Sequence, residues 1–158
     1  MESSQYLATV FAEDGRVIDT DDGYISVLLP GETLGVGGLL VSVDDTPIAR
    51  IEAHLLPGKY VESEPVPVFT AKDVVYRAGD WSDTVSGQIT SPYNVDISNL
   101  LVSALVYNVD GEIVGGGLTF LDFIPADGHA AVAVPVDARG AVDQSEIYAT
   151  VSSLSIFD

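Results

Sequence analysis

The sequence predicts an all-β protein of two tandem antiparallel β-sandwich modules, and three observations predict it. First, the chain repeats itself. The run from Tyr6 to Ile18 (YLATVFAEDGRVI) returns 96 positions later as Val102 to Val114 (VSALVYNVDGEIV). The same offset relates Asp14 to Asp110, Gly15 to Gly111, Ile51 to Ile147 and Ala53 to Ala149. Solenoid repeats run about 20–50 residues, so a longer period marks two copies of a small domain. Second, Val, Leu, Ile, Tyr and Thr recur in short runs, punctuated by Gly, Pro and Asp, which is the pattern of short strands and tight turns. Third, the apolar fraction of 47% is enough to build cores, while a sustained helical period is missing from it.

The first module is expected from about Gln5 to Val61. Tyr6 to Ala12 reads as a strand, and Glu13-Asp14-Gly15 as a hairpin turn in which Gly supplies the positive φ. Arg16 to Asp19 starts the return strand, and Asp19 to Gly23 reads as a loop or bulge. Tyr24 to Leu29 alternates apolar and polar residues and reads as a strand, followed by a turn at Pro30-Gly31-Glu32. Leu34 to Val43 is expected as a glycine-rich strand, Asp44 to Pro47 as a turn, and Ile48 to Leu56 as the closing strand. The stretch from Pro57 to Pro67 is polar and proline-rich, so a linker is expected at 63–67 between modules at 1–62 and 68–158.

In the second module, Asp73 to Ala78 and Thr84 to Thr90 read as strands around Gly79-Asp80-Trp81-Ser82. Ser91 to Asn94 is a turn, and Leu100 to Asn108 a long buried strand that turns back at Val109-Asp110-Gly111. A strand then runs from Glu112 through Gly115-Gly116-Gly117 to Ile124. Pro125 to Gly128 is a turn, Ala130 to Val136 a strand, and Glu146 to Phe157 the last strand. Many short strands at this spacing read as sandwiches of immunoglobulin-like type. The modules are unequal. About thirty residues, Val68 to Asn99, precede the long strand of the second, whereas Met1 to Gln5 precede its counterpart in the first. The first module is therefore expected to lack its opening strands and to expose an unstable edge.

The segments Ser103 to Gly115 and Phe120 to Gly128 resemble the FxLYD domain family, immunoglobulin-like sandwiches of prokaryotic surface and secreted proteins. The shared pattern is a strand ending in an aromatic residue, a D-G-E-hydrophobic-hydrophobic-G return, another strand and a proline-glycine turn. Val85 to Thr90 is similar to the family's early V-x-G-x-V-x-N strand. Departures occur at Ala104, Val106 and Asn108, where the family pattern has Phe, Leu and Asp. The resemblance covers 85–151 well and the first module more weakly. These are core and turn positions, so it implies the fold and brings no active site.

Charge narrows the partners. The formal net charge is −18, with 24 acids against 6 bases. Divided at 64/65, each part carries 12 acids and 3 bases, so the excess is spread evenly. An even acidic coat argues against nucleic acid, which needs a basic footprint, and against anionic membranes. Many Asp residues with only two Lys (Lys59 and Lys72) and a normal apolar core predict a protein that works in high salt, as in a halophilic archaeon. The absence of Cys removes disulfides and thiol chemistry. The start at Met1-Glu-Ser-Ser-Gln lacks the pattern of a secretory signal, and no run approaches the ~20 apolar residues of a spanning helix. A place at a cell surface, outside the cell or in a virion is expected.

Candidate chemistry is thin. His54 and His129 fall at non-equivalent places and read as surface residues. Asp19, Asp21 and Asp22 are the metal candidates, because clustered carboxylates on a loop supply oxygen ligands to Ca²⁺, although the full EF-hand spacing is missing. No other cofactor is expected. The glycines at 115–117 precede neither a helix nor a Lys, so they mark bulges or a close backbone approach, not a phosphate loop. Trp81, the single Trp, packs under its loop in the plainer reading and anchors a partner or a glycan in the other. Tyr6, beside the missing strands, and Val151, Leu154 and Ile156 of the alternating tail complete the candidate partner-binding residues. The expected function is a non-enzymatic structural or adhesion-type module with protein partners. The alternatives are a self-assembling subunit of a filament or virus particle that adds strands between chains, with the tail as donor, and a glycan- or calcium-binding module.

Overall fold

A computed structural model of the chain describes residues 2–36, 46–60, 62 and 64–157. It is all-β and antiparallel, with strands β1 (Glu2–Phe11), β2 (Val17–Val27), β3 (Arg50–Leu56), β4 (Thr70–Arg77), β5 (Asp83–Thr90), β6 (Ile97–Tyr107), β7 (Ile113–Ile124), β8 (His129–Ala138), β9 (Gln144–Thr150) and β10 (Ile156–Phe157). The chain divides into two compact units. One comprises 2–27 and the described residues from 46 to 62; the other comprises 28–36 and 64–157. Residues 28–36, expected in the first module, therefore belong with the second.

The first unit is a three-stranded sheet in the order β2-β1-β3. The β1–β2 hairpin turns where the sequence predicts it. Gly15 takes φ 82°, its N–H donates to the Ala12 carbonyl at 3.0 Å, and the Ala12 N–H donates to the Arg16 carbonyl at 2.9 Å. Asp14 Oδ1 accepts the Arg16 N–H at 3.0 Å and holds the turn. Asp19 to Gly23, expected as a loop or bulge, lies within β2. Pairing of every one of these residues with β1 outweighs their weak local strand preference. Gly23 is covered by the Tyr6 ring across the ladder.

The second unit is a β-sandwich. Strands β9-β6-β7 form one layer and β4-β5-β8 the other, joined where Gly115 and Gly116 of β7 pair with Ala138 and Asp137 of β8. Leu100, Val102, Ala104 and Val106 alternate inward along β6, fully buried against Val85 and Ile89 of β5 and Val134 of β8 within one core. A buried Val or Leu of this kind contributes about 1.5–3 kcal/mol. The expected strand from Glu146 to Phe157 is broken: β9 ends at Thr150 and a turn intervenes before the short β10. The expected strand from Leu34 to Val43 is not seen at 34–36, and its remainder lies outside the described residues, as does the expected Asp44-Asp45 turn.

The repeat is visible in the ladders. Ser4 faces Ile25 and Val10 faces Asp19, as Leu100 faces Leu121 and Val106 faces Gly115, with the same irregularity one residue later. The third strand departs from the 96-residue offset. Ala8 faces Ala53, whereas Ala104 faces Ile147, so β3 and β9 correspond at an offset of two fewer. A two-residue slip keeps the same side chains on the same face.

Candidate interaction surface

The β3 strand carries the most exposed apolar row. Ile51, Ala53 and Leu55 pair with Val10, Ala8 and Tyr6 and so share one face of the sheet. Ile51 is 54% exposed and Leu55 55%. Their counterparts on β9 behave differently: Ile147, at the rung of Ala53, is 6% exposed, and Ala149, at the rung of Leu55, is also buried. β3 is also an edge. β1 lies on one side, and among the described residues no strand lies on the other.

The backbone of β3 has a definite sidedness. The Ser4 hydroxyl donates to the Leu56 carbonyl at 2.6 Å, so the polar groups of Leu56 face β1. Backbone groups alternate along an antiparallel strand. Those of Arg50, Glu52 and His54 then face β1 too, and those of Ile51, Ala53 and Leu55 point outward. On the opposite face of the sheet, Arg50 pairs with Glu52 and stacks over the Phe11 ring at 4.3 Å.

Trp81 is fully exposed, at 100%, which overturns the expectation that it packs under its loop. The hairpin beneath it is pinned by Asp83, whose Oδ2 accepts the Tyr76 hydroxyl at 2.7 Å and whose Oδ1 accepts the Gly79 N–H at 3.1 Å. These two bonds hold the Asp83 carboxyl below its usual range, and the Tyr76 hydroxyl is raised in return. Held in this way, the tip points its indole outward.

The other candidate residues are dispersed. Asp19, Asp21 and Asp22 lie on β2, where successive side chains alternate faces. Asp19 and Asp21 share the face of Val10 and Ala8, and Asp22 takes the opposite one. The loop expected to wrap a calcium ion is thus a straight strand, and among the described residues no three acidic or imidazole groups gather to hold a metal. Tyr6 sits on the central strand of its sheet, with its hydroxyl raised by burial and by Asp21 and Asp22, not at an open edge. The tail expected as a donor strand is engaged within its own unit. Val151 packs on the core, Ile156 and Phe157 pair with Ser98 and Ile97, and the Ser155 hydroxyl donates to the Asn99 carbonyl at 2.9 Å. Leu154 and Ile156 keep their side chains exposed. His54 and His129 are both exposed strand residues.

Two features escaped the sequence reading. Residues 28–36 lie on the outer face of β6 and β9, where Gly35 sits against Ser103 and Leu105. Glu32 Oε2 accepts the Leu29 N–H at 3.0 Å and the carboxyl is hydrogen-bonded by Thr150, yet burial outweighs both bonds and raises it. Among the described residues, Glu32 Oε1 and Ser103 Oγ are buried without a hydrogen-bond partner. Near them, Tyr107 and Tyr148 both donate to Glu146 Oε2. Burial, then the carboxylate and the neighbouring phenol, push the Tyr148 hydroxyl far up. No pattern of residue types announces either feature, because both depend on which strands become neighbours. Comparison with protein-family models, curated proteins and solved structures finds no match, and the FxLYD resemblance rests on its quoted residues alone.

Proposed function

We propose that the chain is a non-enzymatic structural or adhesion-type protein in which the second unit is a scaffold and the first unit carries a protein-binding edge. One observation supports this above the others: β3 combines outward-facing backbone groups with the half-exposed Ile51 and Leu55. Such an edge is what an added strand uses, main-chain bonds giving affinity and alternate side chains giving specificity. A surface or virion setting in high salt fits the acidic coat, since salt shortens the reach of its repulsion. Amide hydrogen exchange at low protein concentration tests the reading. Fast exchange at Ile51, Ala53 and Leu55 beside protected Glu52 and His54 is expected. Equal protection of all five would overturn it.

A second reading draws on Trp81. A fully exposed indole on a pinned hairpin offers a flat apolar face to a sugar ring. Because this is the single Trp, its fluorescence reports binding directly. A saturable shift on titrating soluble polysaccharide, lost in Trp81→Ser, is the expected result; an unchanged spectrum removes this reading.

A further inference from the structure

We infer that the partner of β3 is β3 of a second copy of this chain, paired antiparallel about Ala53. The inference rests on the reading of the first unit as the interacting one and names its occupant.

Three features of β3 make it self-complementary. Ala53 is the central residue of Arg50–Leu56, and its backbone groups point away from β1, to the side on which no strand lies among the described residues. A two-fold axis there sets Ala53 against Ala53, and Ile51 against Leu55, of the other copy. All of these are outward-facing residues, so all form hydrogen-bonded pairs. The same axis leaves the apolar face on one side of the joined sheet, where the exposed Ile51 and Leu55 of each copy meet the Leu55 and Ile51 of the other. On the opposite face Glu52 comes against His54 of the second copy, in the non-hydrogen-bonded pair whose side chains lie closest.

Charge points to the same occupant. The chain carries −18 overall, so two copies repel over most of their surface. β3 holds one Arg, one Glu and one His, making it formally neutral with the imidazole uncharged and complementary to itself when the imidazole is protonated. It is a strand on which two acidic molecules can meet. An isologous contact of this kind also closes, so it gives a dimer of two three-stranded sheets and not an open fibre.

The test is the mass of the intact chain by light scattering across protein concentration, in ~2–3 M salt, where screening shrinks to about 3 Å or less. A reversible dimer that tightens with salt is expected. Ala53→Pro removes the central outward N–H and is tolerated on a free edge; it should leave a folded monomer. At the lowest salt that still holds the wild-type dimer, where charges are least screened, His54→Glu sets like charges across the interface twice and should weaken the dimer about tenfold. Adding Glu52→Lys to that variant restores opposite charges and should recover it. If Ala53→Pro does not fold, the charge-swap pair decides. A monomer at all concentrations, or a dimer indifferent to both sets of variants, overturns the inference. A monomer whose Ile51, Ala53 and Leu55 amides still exchange fast keeps the open edge and assigns it to a different protein.

Discussion

The two units share a hairpin and part company at two residues. In the second unit the inner face of β7 carries Gly115 and Gly117, facing Val106 and Ala104. A Cβ on either would fall on the backbone carbonyl of Asp137 or Pro135 in β8, so the glycines are what lets β8 pass over the sheet and begin the opposite layer. The corresponding rungs of the first unit hold Asp19 and Asp21, facing Val10 and Ala8. A strand could not pass there without burying two carboxylates, each of which costs several kcal/mol unless paired. Further along, Ser4 takes the place of the fully buried Leu100. The two sheets therefore differ in what can cross them at these rungs. Val10 and Ser4 on that face are themselves buried, so the difference lies in the residues at the crossing and, among the described residues, in the side of β3 that no strand pairs.

Exchanging the residues at the crossing should give the largest effect. Gly117→Asp places the first unit's residue where the Pro135 carbonyl sits, and should destabilise the second unit by more than about 3 kcal/mol. The reciprocal Asp21→Gly should cost about 1 kcal/mol or less, the price of glycine in a strand. Denaturant melts of both variants measure this. A second unit that accepts Gly117→Asp with little loss would remove the glycines as the cause of the difference.

Truncating one leucine in each unit should give the next largest contrast. Leu100→Ala opens a cavity in the closed core and should cost about 2–5 kcal/mol. Leu55→Ala, on a half-exposed rung, should stay within about 0.5 kcal/mol in a monomeric sample. Comparable losses at both positions would mean that the inner face of β3 is packed in solution.

The sequence made the strands legible wherever a local signal set them. The Asp14-Gly15 and Asp110-Gly111 hairpins, the alternating burial of β6 and the close approach at Gly115 and Gly117 all follow from turn chemistry and period. What escaped was set by pairing at a distance. Asp19 to Gly23 looks like a loop by composition and becomes a strand because β1 runs beside it. The two-residue slip of β3 leaves face and pattern unchanged, so no periodicity reveals it. Residues 28–36 carry a turn signal at Pro30-Gly31, but nothing in them names Ser103 and Leu105 as the surface they cover. At the candidate surface, composition gave the acidic coat and the lone Trp; the side of β3 that no strand pairs among the described residues could be seen only once the order β2-β1-β3 was known.

A smaller difference lies in the hairpin turns. Asn108 Oδ1 accepts the N–H groups of Asp110 and Glu112 at 3.0 and 2.9 Å, and its Nδ2 donates to Glu112 Oε2. Ala12 occupies that position in the first unit and its turn relies on Asp14. Asn108→Ala should cost about 1 kcal/mol, and Ala12→Asn should gain no more than that. Thermal unfolding of the two variants checks the pair, and a loss from Ala12→Asn would show that the turns are not equivalent.

The smallest effect concerns the cover on the second unit's outer face. Burial raises the Glu32 carboxyl above its ordinary range in the folded chain, so the folded state holds that proton more tightly than the unfolded state does. Stability from this group is then fully present below the ordinary carboxylate value. It falls as pH rises towards the raised value and stays level above it. Asp83, held low by Tyr76 and Gly79, acts in the opposite direction and loses its contribution as pH falls. The difference between wild type and Glu32→Gln isolates the first group, since the other carboxylates are common to both. Gln keeps an acceptor for the Leu29 N–H, so the variant should gain on wild type as pH climbs through that window and hold a constant margin at neutral pH. The phenol of Tyr93, raised by burial and by the Glu32 charge, should titrate at lower pH in the variant. A margin that does not change with pH would mean that the Glu32 carboxylate is solvated, and that residues 28–36 do not stay on the face of β6 and β9.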